Sequence, residues 1–141
     1  MVEIVIVRED DREEFGFSGH ANAGKKGNDI VCASISSLAE YLGTTASKIN
    51  EAIGKPEEPM IEAGNTVITF HKPIIKIKDG SAVIKTNEDM QNYSYSVALN
   101  LVITSAIETL GRIAEQYPKN VSLKIFVPKA NKIEPDTKDV A

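Results

Sequence analysis

The spacing of apolar and polar positions changes several times along the chain, and each change predicts an element. Met1–Arg8 is apolar and β-branched at most positions, which predicts a buried strand. Glu9–Glu14 is wholly charged and reads as a turn. Phe15–Ser18 alternates bulky and small residues, which places both aromatic rings on one face of a second strand and predicts a first hairpin. Ala21–Asn28 contains two glycines and two lysines and reads as a flexible loop. From Asp29 the period becomes helical. Val31, Ile35, Leu38, Leu42, Ile49 and Ile53 recur at three, four or their sum and form one apolar face. Asn28 or Asp29 is the expected N-cap, and Gly54 before Lys55-Pro56 is the stop.

Thr66–Phe70 predicts a short strand, punctuated by Pro73. Ile74–Lys78 and Ala82–Lys85 flank Asp79-Gly80 and predict a hairpin. Leu99, Ile103, Ala106, Leu110, Ile113 and Tyr117 predict a second amphipathic helix, near Ser94–Tyr117, ended by Pro118. Val121–Val127 predicts a last strand, and Pro128–Ala141 is polar and charged, as a frayed tail would be. The order β-β-α-β-(β-β)-α-β fits an α+β fold, a mostly antiparallel sheet with two long helices packed on one face. A single domain is expected over 1–127, with a flexible C-terminal tail over 128–141.

Composition narrows the class. The chain has 141 residues, 42% hydrophobic, which suffices for one core without disulfides. Its one cysteine, Cys32, excludes an internal disulfide and argues against a structural metal cluster, and it fits a reducing cytoplasm. No apolar run approaches the roughly 20 residues of a membrane helix, and the N-terminus lacks the pattern of a signal peptide. The net charge of −4 argues against direct nucleic-acid binding through a general basic surface. It would suit encounter with a basic substrate.

The chemistry concentrates between Gly19 and Ser36. His20 ends a strand, and Cys32 falls in the first turn of the helix expected from Asp29. A helix N-terminus favours a thiolate, and its unpaired N–H groups can hold an oxyanion. A loop rich in glycine can fold His20 back beside Cys32 as general base. The bland alternative is a cysteine acting as a small buried hydrophobe. Cys32 lies about 100° around the helix from Val31, at the edge of the apolar face rather than its centre. Asp29 reads as a cap that could also orient His20, and Ser36 lies one turn beyond Cys32 on the same side. His71 follows a strand with no nucleophile near it and reads as surface or structural. The loop residues Gly24, Lys25, Lys26 and Gly27 fit neither the dinucleotide nor the P-loop spacing. They are expected to close over a bound substrate.

Gly19-His20, followed by Gly27-Asn28-Asp29-Ile30-Val31-Cys32-Ala33-Ser34-Ile35-Ser36, resembles the signature of the ribosomal-processing cysteine protease family, Prp, down to the twelve-residue step from His20 to Cys32. Ile107-Glu108-Thr109-Leu110 and Tyr117-Pro118 resemble that family's second helix and its end. The resemblance implies a homodimeric bacterial enzyme without cofactor or metal. Such an enzyme removes a short N-terminal extension from large-subunit ribosomal protein twenty-seven, cutting after paired aromatic residues before the ribosome assembles. It implies Cys32 as nucleophile and His20 as base, with Gly19, Asp29 and Ser36 in support. The chain departs from the family in an added hairpin over Lys72–Thr86 and in a longer tail after Val127.

Two other functions compete: a non-catalytic ribosome-associated binding module of the same fold, and a cysteine hydrolase of small amides or esters. Rapid labelling of Cys32 by a thiol probe favours an enzyme over a binding module. Peptide cleavage separates a protease from a small-amide hydrolase.

Overall fold

A computed structural model describes residues 1–19, 26–62 and 64–128. The chain forms β1 (Val2–Arg8), β2 (Arg12–Ser18), α1 (Lys26–Ala52), β3 (Met60–Glu62), β4 (Asn65–His71), β5 (Ile77–Lys78), β6 (Ser81–Ala82), α2 (Asn87–Gln116) and β7 (Val121–Phe126). Five strands make one sheet in the order β3-β4-β2-β1-β7. All its neighbours are antiparallel except β1 and β7, which run parallel. The long α2 crossover permits that parallel pairing, because no tight turn can join parallel strands.

One core holds the fold together. Ile6, Phe15 and Ile68 lie in one row across β1, β2 and β4, all fully buried. Phe15 and Phe70 meet edge to face with ring centroids 5.8 Å apart, a geometry that adds to the area they bury. Leu42 from α1 and Ile103 and Leu110 from α2 close over this same face, so both helices pack on one side of a mostly antiparallel sheet, as expected. Each such side chain contributes roughly 1.5–3 kcal/mol by leaving water. The helix at α2 is, by length and composition alone, apolar enough to cross a membrane, contrary to the expectation that none would be. Its Leu99, Ile103, Ala106 and Leu110 are instead buried in the core.

The structure corrects several boundaries. Strand β1 is buried on one face only, with Val2, Ile4 and Ile6 inside and Glu3 and Val5 exposed. Strand β2 begins at Arg12, inside the segment expected to be a turn. Charge suggested solvent there, but Glu13 is buried and bound by Arg8 Nε at 2.6 Å, with Lys72 Nζ 3.5 Å away. Pairing makes that burial tolerable. Strand β3 was not anticipated: it is three exposed residues at a sheet edge, too short for a periodic signal. Helix α2 starts at Asn87 rather than near Ser94. Thr86 Oγ1 accepts from Asp89 N–H and Asp89 accepts from Thr86 N–H, a capping box that satisfies two otherwise unpaired donors. The N–H of Lys85, then Lys76, hold the Asp89 carboxyl below its usual range.

A hairpin forms around Asp79-Gly80 as expected, but its strands are two residues each, Ile77–Lys78 and Ser81–Ala82, rather than Ile74–Lys78 and Ala82–Lys85; Asp79 and Gly80 are both at positive φ (53° and 77°), the twist that a two-residue hairpin turn requires. It makes a separate two-stranded sheet, tethered to the start of α2 by Lys76–Asp89 at 3.2 Å. Residues 129–141, most of the expected tail, lie outside the described residues.

Candidate active site

A groove of about 720 Å³ runs between α1 and the β3–β4 edge of the sheet, and Cys32 opens into it. Cys32 is half-buried, between buried Val31 and Ile35, and packs partly against the core. That is the edge position expected from the helical period. Ser36, Ala39, Gly43 and Ser47 continue along α1 on the groove side. They are small, and Gly43 shows why this stripe must be: a Cβ there would stand 3.2 Å from Pro59 Cγ. The helix therefore approaches the strand edge closely, and the wall opposite is built by Pro59, Ile61, Thr66 and Ile68. Ser36 is exposed and lines the groove, whereas Ser34 donates to the Ile30 carbonyl at 2.9 Å and stays on its own helix.

The other side of the site is set by Gly19. Its φ is +85°, and a Cβ there would lie 2.3 Å from the Met1 carbonyl oxygen. Only glycine fits both the backbone conformation and the contact. The Gly19 N–H donates to the Gly64 carbonyl at 3.1 Å, so the end of β2 is fixed against both the start of the chain and the turn into β4. The residue directly after this fixed point is His20. His20, Gly24 and Lys25 lie outside the described residues.

The helix start differs from expectation in a way that affects the chemistry. Helix α1 begins at Lys26, so Lys26 and Gly27 belong to it and not to a loop, and neither Asn28 nor Asp29 is its cap. A single glycine inside a helix costs only about 1 kcal/mol relative to alanine, which the rest of a 27-residue helix overrides. Cys32 is then in the second turn, beyond the reach of the first-turn dipole. Its own N–H belongs to the intrahelical ladder. The start of the helix therefore does not supply the oxyanion donors expected beside Cys32.

Asn50, fully buried, secures the far end of the groove. Its side chain donates to the Thr69 carbonyl at 2.8 Å and accepts from His71 N–H at 2.9 Å, tying the end of α1 to β4. His71 is structural as expected: its ring pairs with Glu57 at 2.8 Å, and this hydrogen bond holds the Glu57 carboxyl below its usual range. No residue of the hairpin around Asp79-Gly80 lines the groove.

Comparison with protein-family models matches residues 1–122 to cysteine protease Prp. The chain belongs to the Prp family of cysteine proteases. The crystal structure of SMU.848 from Streptococcus mutans shares the fold, with 20% identity, a TM-score of 0.56 and coverage of 90% of this chain and 95% of that one. Two structures of the essential ribosomal processing protease Prp from S. aureus are also similar. One holds a covalently linked product peptide, at 24% identity. The other holds a substrate peptide, at 23% identity. Each has a TM-score of 0.47 and covers 89% of this chain and 99% of the other. A comparison with curated proteins finds no match.

In this Prp-family chain the structure thus brings Cys32, Ser36 and Gly19 to one groove. The groove's far wall, from Glu58 to Ile61, was missed. One signal in the sequence could have revealed the helical side: small residues at 36, 39, 43 and 47 in step with Cys32. Nothing comparable marks Glu58, Pro59 and Ile61, which reach the groove through contacts distant in sequence: Ser47 with Glu58, Gly43 against Pro59, and the pairing of β3 with β4 at Ile61.

Proposed function

We propose that this chain is a cysteine endopeptidase in which Cys32 is the nucleophile and His20 the general base. Its substrate is the N-terminal extension of large-subunit ribosomal protein twenty-seven, cut beside paired aromatic residues, and it acts in the cytoplasm as a homodimer. The observation that carries the reading is the opening of the chain's one cysteine into a peptide-sized groove, in a chain of a cysteine protease family. An extended peptide lies along α1 with its scissile carbonyl at Cys32. The thiol gives its proton to His20 and its sulfur attacks the carbonyl carbon. His20 returns that proton to the leaving amine, and water hydrolyses the resulting thioester. Gly19 fixes the strand end from which His20 reaches the thiol, Ser36 offers a hydroxyl one turn away, and Asp29 supports His20.

The test is cleavage of a peptide copying the extended ribosomal N-terminus. Cys32→Ser and His20→Ala are each expected to lower kcat/KM by roughly 10³-fold or more, and the double variant by little beyond either, because the two act as a unit. Wild-type turnover by Cys32→Ser would refute the nucleophile. If the wild type cleaves no aromatic-containing peptide, the binding-module reading takes precedence.

A further inference from the structure

Among the described residues, the charged side chains lining the groove are all of one sign. Glu40, Glu58 and Glu62 face it, and no lysine or arginine does among the described residues. None of the three is in an ion pair among the described residues. By contrast Glu57, adjacent to Glu58, is bound to His71, and buried Glu13 is bound to Arg8 and Lys72. Glu58 is held in place on the groove wall, accepting from Ser47 Oγ at 2.9 Å. The walls between the carboxylates are apolar, from Ile35, Pro59, Ile61 and Ile68. This groove already receives a peptide on the reading proposed above, so carboxylates with no ion pair among the described residues bear on which peptide it receives.

Position along the groove follows from helix geometry. Glu40 is eight residues beyond Cys32, roughly 12 Å at 1.5 Å per residue, and Ser47, which carries Glu58, is fifteen beyond, roughly 22 Å. An extended peptide rises about 3.3 Å per residue, so these carboxylates stand about four to seven residues from the scissile bond. Glu62 pairs with Asn65 in the strand register, and Asn65 with Ser18, which places Glu62 at the end near Gly19. We propose that Glu40 and Glu58 make the half of the groove remote from Cys32 a cation subsite. It selects peptides that carry an ammonium or guanidinium group about four to seven residues from the bond cut, beyond an apolar stretch held by the groove walls. The inference rests on the peptidase reading for its register but not for its sign of charge.

Two readouts test it. In the first, binding to Cys32→Ser is measured by fluorescence anisotropy with peptides containing an aromatic pair. Lysine is moved from two to nine residues away, and each peptide is matched to a norleucine version. Lysine in the stated window is expected to tighten binding roughly 1.5- to fivefold at low salt, the range of exposed charge pairs. The gain should shrink near 0.5 M salt (about a 4 Å screening length) and vanish in Glu40→Gln/Glu58→Gln. In the second, wild-type cleavage should show the same preference in KM with kcat little changed. A free N-terminus placed in the window, compared with its acetylated form, distinguishes an α-ammonium from a side chain, and either preference supports the subsite. Equal binding of lysine and norleucine peptides at low salt overturns it. Charge-selective binding without cleavage by the wild type leaves the subsite standing and removes the peptidase reading instead.

Discussion

Single residues fix the two sides of the site for different reasons. Cys32 is placed by helical period: with Val31 and Ile35 buried, the side chain at 32 is carried to the edge of the core and into the groove. Gly19 is placed by backbone geometry. A φ of +85° and a Met1 oxygen 2.3 Å from a would-be Cβ leave no room for a side chain. Gly19→Ala is therefore expected to lower folding stability by about 1–3 kcal/mol, read as an earlier denaturant midpoint. On the proposed role of His20, the next residue in the sequence, cleavage should fall further than unfolding explains. An unchanged midpoint would show that the end of β2 is not fixed as described. The Cys32 position was legible in the sequence because a helix repeats. The Met1–Gly19 contact was not, since it joins residues eighteen positions apart that only the β1–β2 pairing brings together.

At the scale of elements, the differences between expectation and structure lie at ends rather than in the middles. The apolar faces of α1 and α2 match the expected periods at Val31, Ile35, Leu42 and Ile49 and at Leu99, Ile103, Ala106 and Leu110. Both helices start earlier than those faces do. At α2 the first turns carry Met90, Tyr93 and Val97 on an exposed side, which gives no buried period, and the start is set by the Thr86–Asp89 box. Thr86→Ala should cost about 1 kcal/mol, measured by thermal or chemical unfolding. Its effect on peptide cleavage should be slight, because this cap is remote from the groove. A loss of cleavage with normal stability would argue for a functional role of the α2 start that the groove geometry does not contain. The hairpin around Asp79-Gly80 sits beside the same cap, and none of its residues lines the Cys32 groove.

Over the whole molecule, one sheet face is covered by two helices, and the groove lies where α1 meets the β3–β4 edge. The outer side of α2 is left open by the described residues: Met90, Val97 and Leu101 are 52%, 55% and 67% exposed. The proposed homodimer would place this stripe against its counterpart, since exposed apolar patches of this kind mark association surfaces. Leu101→Lys with Val97→Lys is expected to convert a dimer to a monomer in light scattering with the unfolding midpoint per chain little lowered. A monomeric wild type would remove that part of the proposal. By itself the sequence determined the α+β class, the inward faces of both helices and the Asp79-Gly80 hairpin, and it singled out the segment from Gly19 to Ser36 as the candidate site for the proposed chemistry. Those properties are local: they follow from side-chain period, turn residues and a short motif. Only the tertiary structure decided the order of the strands and the burial of Glu13. It also put the strand β3 beside α1 and grouped Glu40, Glu58 and Glu62 along one groove with Cys32. Those depend on pairings between segments far apart in the chain, which no local pattern records.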